Sequence, residues 1–350
     1  MPTSDYPIEV RRMESREENS WDEYVFRAPD SSHSHLSGWR RVVARSYGHA
    51  SRYLWAHHNG GVVGVLPLIV MRSFFIQRTL VSMPFLDDGG ICADSDSVKT
   101  QLFADALRLY EDEKAGSLDL RHRHRIRLDL PRAGDKLVMI LDLAKSAEDL
   151  WKDFDPKLRN QVRKASKSGL TASWSAKDDL VDFYDVFAAN MRDLGSPVHS
   201  RGFFEALLNE FPDSAKIMLV RKDTLAIGGA ICLLFKDTMT VPWASSLREF
   251  FSLCPNNLLY WEMIRWGCEN GYRRFDFGRS SPNSGTYHFK KQWGAREDPL
   301  HWQCVVRTAR GVPVSPGNNG KFKWVVKSWS RMPLSLTKWV GPLVRGQISN

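Results

Sequence analysis

The stretch between residues 215 and 277 constrains the fold of this chain most, because strand-like and helix-like segments follow one another there without a long break. Three strand-like runs occupy residues 215–221, 225–235 and 238–245. The short polar pairs Lys222–Asp223 and Lys236–Asp237 separate them, as expected of hairpin turns. An apolar helix at 257–269 and a strand at 273–277 come next. A meander followed by a helix and a strand predicts a mixed α/β (α+β) fold.

The first half of the chain has the same mixed character. An Asn59–Gly60 turn lies between two strand-like runs, and a helix-like segment at 98–115 precedes a strand at 118–120. A second set of elements begins at Ser146, where Ser-Ala-Glu-Asp is typical of a helix N-terminus. We therefore predict three parts: a domain at 1–145, a domain at 146–310 that carries the main motifs, and a basic, Trp-rich tail at 311–350.

Composition and charge narrow the classes of partner. The 350 residues are 43% hydrophobic and carry a formal net charge of +9, which favours anionic partners such as RNA, nucleotide-linked sugars or an anionic membrane surface. The five cysteines are widely spaced and form no C-x-x-C pair, so neither a disulfide framework nor a metal site is predicted. The polar start and the short apolar runs predict a cytoplasmic protein, with possible peripheral contact with the inner membrane.

The tail at 311–350 combines aromatic and basic side chains. Trp324, Trp329 and Trp339 alternate with lysine and arginine, and no acidic residue occurs in this stretch. This pattern is typical of a helix that lies on a membrane surface. It is equally typical of an amphipathic helix that packs on the body of the protein with its cations in water.

A basic helix is predicted at 157–167, with five cations and no acid. Arg159 and Arg163 lie four residues apart, and like charges at this spacing repel by about 0.2–0.5 kcal/mol. An anionic ligand would relieve this repulsion, since arginine presents a fork of donors to phosphate or carboxylate. The alternative is a solvated basic face.

A second motif runs from Phe275 to Gly294. Strand alternation predicts that Asp276 faces away from Phe275 and Phe277, near the end of a strand. Lys290 follows on a polar loop, where a cation can stabilise an oxyanion or a phosphate. The alternative is structural: Asp276 pairs with Arg279, while Phe289 and a nearby tryptophan fill a core. The run Arg121–Arg125 holds only two histidines and is interpreted as a basic edge strand or loop.

The order of these motifs resembles the FemAB/FemX-like transferases. The resemblance rests on the basic run at 157–169, the helix at 257–271, the run FDFGRS-x-x-x-x-G-x-x-x-FK-x-x-WG, and SMPFLDDGG at 82–90. It covers roughly residues 35–307. Within this family, the chain is most similar to the FemAB-related proteins of exosortase/PEP-CTERM exopolysaccharide systems.

The resemblance implies two tandem GNAT-like domains with a groove at or near their junction. It also implies transfer of an aminoacyl group from tRNA to an amine on a peptidoglycan-type precursor. Lys290 would steady developing negative charge, with Asp276 as a second catalytic candidate. The predicted substrate-binding residues are Arg159, Arg163, Trp243, Asn257, Tyr260, Arg279 and Phe289.

Two departures from the family pattern bear on the donor. No heptad-rich arm occurs, and the coenzyme-A loop R/Q-x-x-G-x-G/A is missing between Ala244 and Leu258. Three functions stay open. The first is an acyltransferase that moves an aminoacyl or acyl group to an amine on a cell-envelope or exopolysaccharide precursor, with no tightly bound cofactor and aminoacyl-tRNA or acyl-CoA as co-substrate. The second is an acyl-CoA-dependent N-acetyltransferase. The third is a non-enzymatic membrane- or RNA-associated protein of a polysaccharide system.

Overall fold

The computed structural model describes residues 7–72, 78–128, 130, 132–143, 146–175, 177–307 and 326–349. The chain divides into two compact units. Unit 1 comprises Met1–Gly134, Pro299–Ser315 and Gln347–Asn350, and unit 2 comprises Asp135–Asp298 and Pro316–Gly346. These limits differ from the predicted boundary at 145/146, because a strand before it pairs within unit 2 and a strand near residue 300 returns to unit 1.

Among its described residues, unit 1 has two β-sheets and three α-helices. Its strands are β1 Glu9–Arg12, β2 Ala50–Ser51, β3 Leu54–His58, β4 Gly61–Leu66, β5 Leu68–Met71, β6 Thr79–Ser82, β7 Cys92–Ala93, β8 Ser117–His122 and β16 His301–Val306. Its helices are α1 Glu18–Arg27, α2 Trp39–Tyr47 and α3 Asp96–Asp112. The sheet orders are β1-β3-β4-β7 and β16-β8-β6-β5-β2.

Helix α3 packs closely on the first sheet of unit 1. A Cβ atom on Gly64 of β4 would lie 2.8 Å from Val98 Cγ1 and 2.9 Å from Leu102 Cδ1, so only glycine allows this approach. The Asn59–Gly60 turn, with positive φ at both residues, joins β3 to β4 as predicted. The strand-like run after this turn, at residues 64–71, was predicted as a single strand, but it forms parts of two strands, β4 and β5, which belong to different sheets.

The run that begins at Arg121 does not form an edge strand. Arg121 and His122 end β8, which lies between β16 and β6. The buried Arg121 guanidinium donates to the carbonyl oxygens of Leu86 and Ser349, both at 2.8 Å, and lies 4.6 Å from the Trp302 ring. The interpretation as a basic edge strand or loop was therefore wrong for these two residues, since β16 comes from 179 positions further along the chain and covers β8.

Unit 2 is built on one seven-stranded sheet of order β10-β11-β12-β13-β14-β9-β15. Its strands are β9 Leu137–Asp142, β10 Leu170–Ser175, β11 Ala215–Lys222, β12 Leu225–Phe235, β13 Thr238–Ser246, β14 Arg274–Ser280 and β15 Arg296–Pro299. Its helices are α4 Ala147–Asp153, α5 Pro156–Lys167, α6 Leu180–Asp193, α7 Arg201–Glu210, α8 Pro255–Glu269, α9 Gly285–Lys291 and α10 Leu334–Arg345.

Two sets of helices cover this sheet. Leu158, Val162 and Ala165 of α5 and the apolar side of α8 enter a core with Met218, Cys232 and Met239 of the strands. Phe183 of α6 and Phe203 and Phe204 of α7 form a separate aromatic group with the sheet residue Trp243. The meander β11–β12–β13 and the order β13–α8–β14 agree with the prediction from sequence. Ser146 caps α4, with its Oγ accepting from the Asp149 amide at 3.1 Å.

Candidate active site

The sheet of unit 2 opens between β13 and β14. These two strands pair in parallel over three residues only, from Thr238↔Arg274 to Thr240↔Asp276, within the part of the chain that the structure describes. Beyond that point β13 continues along β12 to Ser246, and β14 continues along β9 to Ser280. The carboxyl ends of the two strands therefore leave a gap in the sheet, a usual position for ligand sites in α/β folds.

A β-bulge in each strand explains the opening. The β12–β13 register passes from Leu233↔Thr240 to Ile231↔Trp243, which adds one residue to β13 next to Pro242. The β14–β9 register likewise adds one residue to β14, where Gly278 has φ 73°. A bulge bends its strand, and proline is tolerated there because the ladder already lacks a bond. The two strands thus bend apart just past Asp276.

Helix α8 begins at this gap. It follows a 3₁₀ turn over Arg248–Leu253, and Cys254 with φ 57° and Pro255 form its first turn. Ser246 Oγ at the end of β13 donates to Asn256 Oδ1 at 2.7 Å, which ties the helix start to the strand end. The unpaired N–H groups of a helix N-terminus favour negative charge. The gap therefore has one electropositive wall made of backbone.

Asn257 connects α8 to the basic helix α5. Its buried side chain donates from Nδ2 to Gln161 Oε1 at 3.2 Å. This bond fixes the amide of the predicted substrate-binding residue beside the helix start. Because Asn257 Nδ2 is bonded to Gln161, the direction of the Asn257 Oδ1 atom is fixed as well.

Lys290 lies in α9 and not on a loop, so the prediction of its local structure was wrong. The N-cap of this helix is Ser284, whose Oγ accepts a hydrogen bond from the Tyr287 amide at 3.2 Å. Lys290 is only 7% exposed, and its Nζ donates to the carbonyl oxygens of Gly278 at 2.8 Å and Arg279 at 2.9 Å. A positive charge is thereby fixed on β14, two to three residues past the point where pairing with β13 ends.

Asp276 converges on the same bulge. It is 1% exposed, and its Oδ1 accepts from the Gly278 amide at 2.8 Å. The two catalytic candidates, Asp276 and Lys290, thus hold opposite sides of one backbone turn. Their hydrogen bonds fix the bent conformation of β14, a structural role that is compatible with a chemical one.

Tyr260 and Phe289 form an aromatic wall next to this turn. The Tyr260 ring stacks on Phe277 at 5.3 Å and lies 5.3 Å from Phe289 and 6.5 Å from Trp293. Burial raises the pKa of the Tyr260 hydroxyl above its usual value, so the group stays protonated and can donate a hydrogen bond. Phe154, at the junction of α4 and α5, closes the cluster against Trp293 at 5.3 Å.

The predicted arginine pair lies on one flank of α5. Arg159 is half-buried, and its Nε is enclosed with no hydrogen-bond partner among the described residues. Arg163 is exposed and lies over the Trp151 ring at 5.5 Å. A buried donor without a partner is uncommon in native proteins and calls for an explanation, such as a ligand or a water molecule. Arg159 therefore fits an anion site better than Arg163 does.

The surroundings of Trp243 and Arg279 differ from those of the other predicted substrate-binding residues. The bulge in β13 turns Trp243 to the side of α6 and α7, where its ring contacts Phe203 at 5.5 Å and Phe204 at 5.4 Å. Arg279 is half-buried near the end of β14 and contributes its carbonyl oxygen to Lys290. Trp243 is thus surrounded by other aromatic rings, whereas Arg279 lies at the bulge itself.

Sequence reasoning missed several polar atoms at this site. Ser280 Oγ and Trp293 Nε1 are buried with no hydrogen-bond partner among the described residues, and Gln161 and Asn256 hold the start of α8. Only the position of Asn256 could have been predicted from the sequence, because Pro-Asn-Asn ahead of an apolar run is typical of a helix N-terminus. The burial of the other atoms depends on tertiary packing that local patterns do not encode.

The groups described at the site position ligands and supply positive charge. Burial raises the pKa of the Cys232 thiol above its usual value, and no disulfide forms among the five cysteines. Within the described ranges, no group of three or more His, Cys, Asp or Glu side chains is placed to hold a metal ion. The arrangement can bind an anionic or carbonyl group and exclude water around it.

Comparisons with known proteins give a family match and several similar solved structures. Residues 153–291 match the family described as an acetyltransferase (GNAT) domain, and no curated protein matches the chain. The chain is similar to the crystal structure of FemX, with 17% sequence identity and a TM-score of 0.68. The match covers 85% of this chain and 97% of that chain. A tandem GNAT protein from the clavulanic acid biosynthesis pathway is 10% identical, covering 87% of this chain and all of that chain at a TM-score of 0.55.

A third similar structure is the C-terminal domain of a putative lysylphosphatidylglycerol synthetase from Agrobacterium fabrum. It is 13% identical and covers 84% of this chain and 93% of that chain, with a TM-score of 0.56. Together, the comparisons show a mixed α/β fold of two tandem GNAT-like domains. They also place an acetyltransferase-type domain around the gap between β13 and β14.

Proposed function

We propose that the protein is an acyltransferase that moves an aminoacyl or acyl group to an amine on a cell-envelope or exopolysaccharide precursor. The observation that carries this proposal is the fixed positive charge of Lys290 at the gap, in a region that matches a GNAT domain. The link to exosortase/PEP-CTERM systems rests on the sequence resemblance alone.

The proposed reaction needs no covalent enzyme intermediate. The acceptor amine attacks the carbonyl carbon of an activated ester or thioester, a C–N bond forms, and the bond to the leaving oxygen or sulfur breaks. The proton of the amine passes to the leaving group, directly or through water. Lys290 and the start of α8 would stabilise the negative charge that develops on the carbonyl oxygen. The walls around Tyr260 and Asn257 would position the two reactants.

The two candidate donors are acyl-CoA and aminoacyl-tRNA. GNAT domains use acyl-CoA as co-substrate, so acetyl-CoA is the first donor to test, and a simple acyl-CoA-dependent N-acetyltransferase is the second candidate function. Against it, the segment between β13 and α8 contains no glycine and forms a 3₁₀ turn over Arg248–Leu253. Bulky side chains there hinder close approach of a pyrophosphate to the backbone. We therefore favour an aminoacyl or other activated donor.

The acceptor is proposed from charge. Arg159 has an enclosed Nε without a partner, and the chain carries a formal net charge of +9. Both features suit a precursor that carries phosphate or carboxylate groups.

The proposal is tested by comparing variants of two neighbouring lysines, Lys290 and Lys291, in a strain that lacks the protein. In a strain that lacks the protein, mass spectrometry of lipid-linked and polysaccharide precursors should reveal species without one acyl or aminoacyl group. Wild type should restore the group, and Lys290→Met should restore it at least ~10²-fold more slowly, the usual effect of losing an oxyanion-stabilising donor. Lys290→Arg keeps the charge and should retain part of the rate.

Lys291→Met is the matched control. Lys291 is exposed, and its Nζ donates to Tyr287 Oη at 2.9 Å and Glu297 Oε1 at 3.3 Å, away from the bulge. It should restore the wild-type rate. Precursors that are identical with and without the protein would refute the proposal. So would a folded Lys290→Met variant with full activity, and calorimetric binding of acetyl-CoA would shift the donor to acyl-CoA.

A further inference from the structure

Helix α10 packs on unit 2 through one side only. Thr337 and Gly341 are buried, and a Cβ atom on Gly341 would lie 2.9 Å from Val198 Cγ1. Lys338 Nζ lies 2.5 Å from Asp185 Oδ1 of α6, and Arg345 Nε donates to His199 Nε2 at 3.1 Å. The helix is therefore held on the body of unit 2, as one of the two interpretations of the tail expected.

The opposite side of α10 exposes large apolar side chains. Leu336 is 40% exposed, Trp339 71% and Leu343 56%. Their spacing of three and four residues aligns them on one side of the helix, over roughly 10 Å of its length. Leu336, Trp339 and Leu343 are called the outer stripe below. A helix that is fixed on one side and apolar on the other presents a surface for a partner.

The charge around the outer stripe points to an anionic partner. Lys327 and Arg331, just before the helix, are exposed and have no ion pair among the described residues. From Gly311 to Asn350 the sequence holds six lysines and arginines and no aspartate or glutamate. An acid-free basic segment next to Trp and Leu suits phospholipid headgroups and the layer below them.

We infer that the outer stripe docks on the surface of an anionic phospholipid bilayer, with α10 lying parallel to it. Trp339 would enter the headgroup boundary, where tryptophan is favoured, and Lys327 and Arg331 would contact lipid phosphates. No helix within the described residues is long and apolar enough to span a membrane. This inference does not depend on the proposed acyl transfer.

Vesicle flotation of the full chain tests the inference. At low ionic strength, wild type should float with vesicles of phosphatidylcholine and phosphatidylglycerol and much less with phosphatidylcholine alone. The variant Leu336→Ser/Trp339→Ser/Leu343→Ser should bind at least ~10-fold more weakly. Lys327→Ser/Arg331→Ser should also bind roughly 10-fold more weakly, and its remaining binding should depend less on salt.

The control removes exposed apolar residues elsewhere in unit 2. Leu225→Ser/Phe251→Ser changes side chains that are 53% and 48% exposed and should bind vesicles like wild type. All variants should keep the wild-type melting temperature, since the altered side chains are exposed. Failure of wild type to float, or equal binding by the stripe variant, would overturn the inference. So would self-association in sedimentation that the stripe variant abolishes while vesicle binding stays absent, because the stripe would then contact a second copy.

Discussion

Arg159 is unusual among the cations of α5, because part of its guanidinium group is enclosed without a partner. Leaving a buried donor unsatisfied costs about 1–3 kcal/mol. A residue that lowers stability in this way is expected to contribute elsewhere, and an anionic group of the substrate is the simplest contribution.

Arg159→Met should separate these two effects. We expect thermal stability to stay the same or to rise, because the unsatisfied donor is removed while the aliphatic part of the side chain is kept. The initial rate with precursor isolated from the deletion strain should fall about 10-fold or more, as expected for loss of a charge-assisted hydrogen bond. Lys164→Met removes an exposed cation from the same helix and serves as control. Equal rates for the two variants would exclude Arg159 from the site.

At the level of single residues, sequence patterns predicted which side of a strand a residue faces but not which atoms its side chain contacts. Strand alternation correctly separated Asp276 from Phe275 and Phe277, since the period of two is a local property. It could not reveal that Asp276 accepts from the Gly278 amide or that Lys290 is buried against the same turn. Both contacts follow from the bulge in β14, which appears only when β9, more than 130 residues earlier, pairs with that strand.

Among the elements, α10 gives the clearest case of packing that depends on one small residue. Gly341 approaches Val198 so closely that a Cβ would also lie 3.0 Å from the Val198 backbone nitrogen. A rigid backbone cannot yield as a side chain can, so any larger residue must push the helix away.

Gly341→Leu should therefore detach α10 from unit 2. We expect a loss of about 1–3 kcal/mol in the free energy of unfolding, the usual cost of overpacking, together with faster proteolysis between residues 326 and 345. Urea denaturation and limited proteolysis measure these two effects. Ser335→Leu, at an exposed position of the same helix, should change neither. An unchanged cleavage pattern for Gly341→Leu would mean that the helix is not held at Val198.

The secondary structure of unit 2 was largely predictable, whereas the gap between β13 and β14 was not. The turns Lys222–Asp223 and Lys236–Asp237 and the apolar helix gave the order β11–β12–β13–α8–β14, because these signals are local. Pro242 within β13 is compatible with an edge strand as well as with a bulge, so the sequence did not identify the bulge. Its effect on the direction of Trp243 could therefore not be foreseen.

For the molecule as a whole, buried histidines make stability depend on pH. Burial lowers the pKa of His33 and of His122 to about 3, and burial together with Arg345 lowers that of His199 well below its ordinary value. In the unfolded chain these groups titrate near 6.5. Below about pH 6.5 the unfolded state therefore binds protons that the folded state does not bind. The free energy of unfolding is thus highest above pH 6.5 and decreases as the pH falls.

We expect the free energy of unfolding to decrease by up to about 2 kcal/mol per buried histidine between pH 6.5 and pH 5. Urea titrations across this range should show the decrease, and His122→Asn should reduce its slope. Surface carboxylates contribute little in this window, because they remain ionised. Stability that is constant from pH 7 to pH 5 would contradict the burial of these rings.

The order of the chain also carries a consequence for how the protein is made. Residues 135–298 form nearly all of unit 2 and leave the ribosome before β16, the strand that completes a sheet of unit 1. Until residues 301–306 appear, the nascent β8 has an edge of unpaired backbone groups, which is a site for wrong pairing. The sheet of unit 1 that contains β8 is thus completed only after the strands of unit 2, from β9 to β15, have been made.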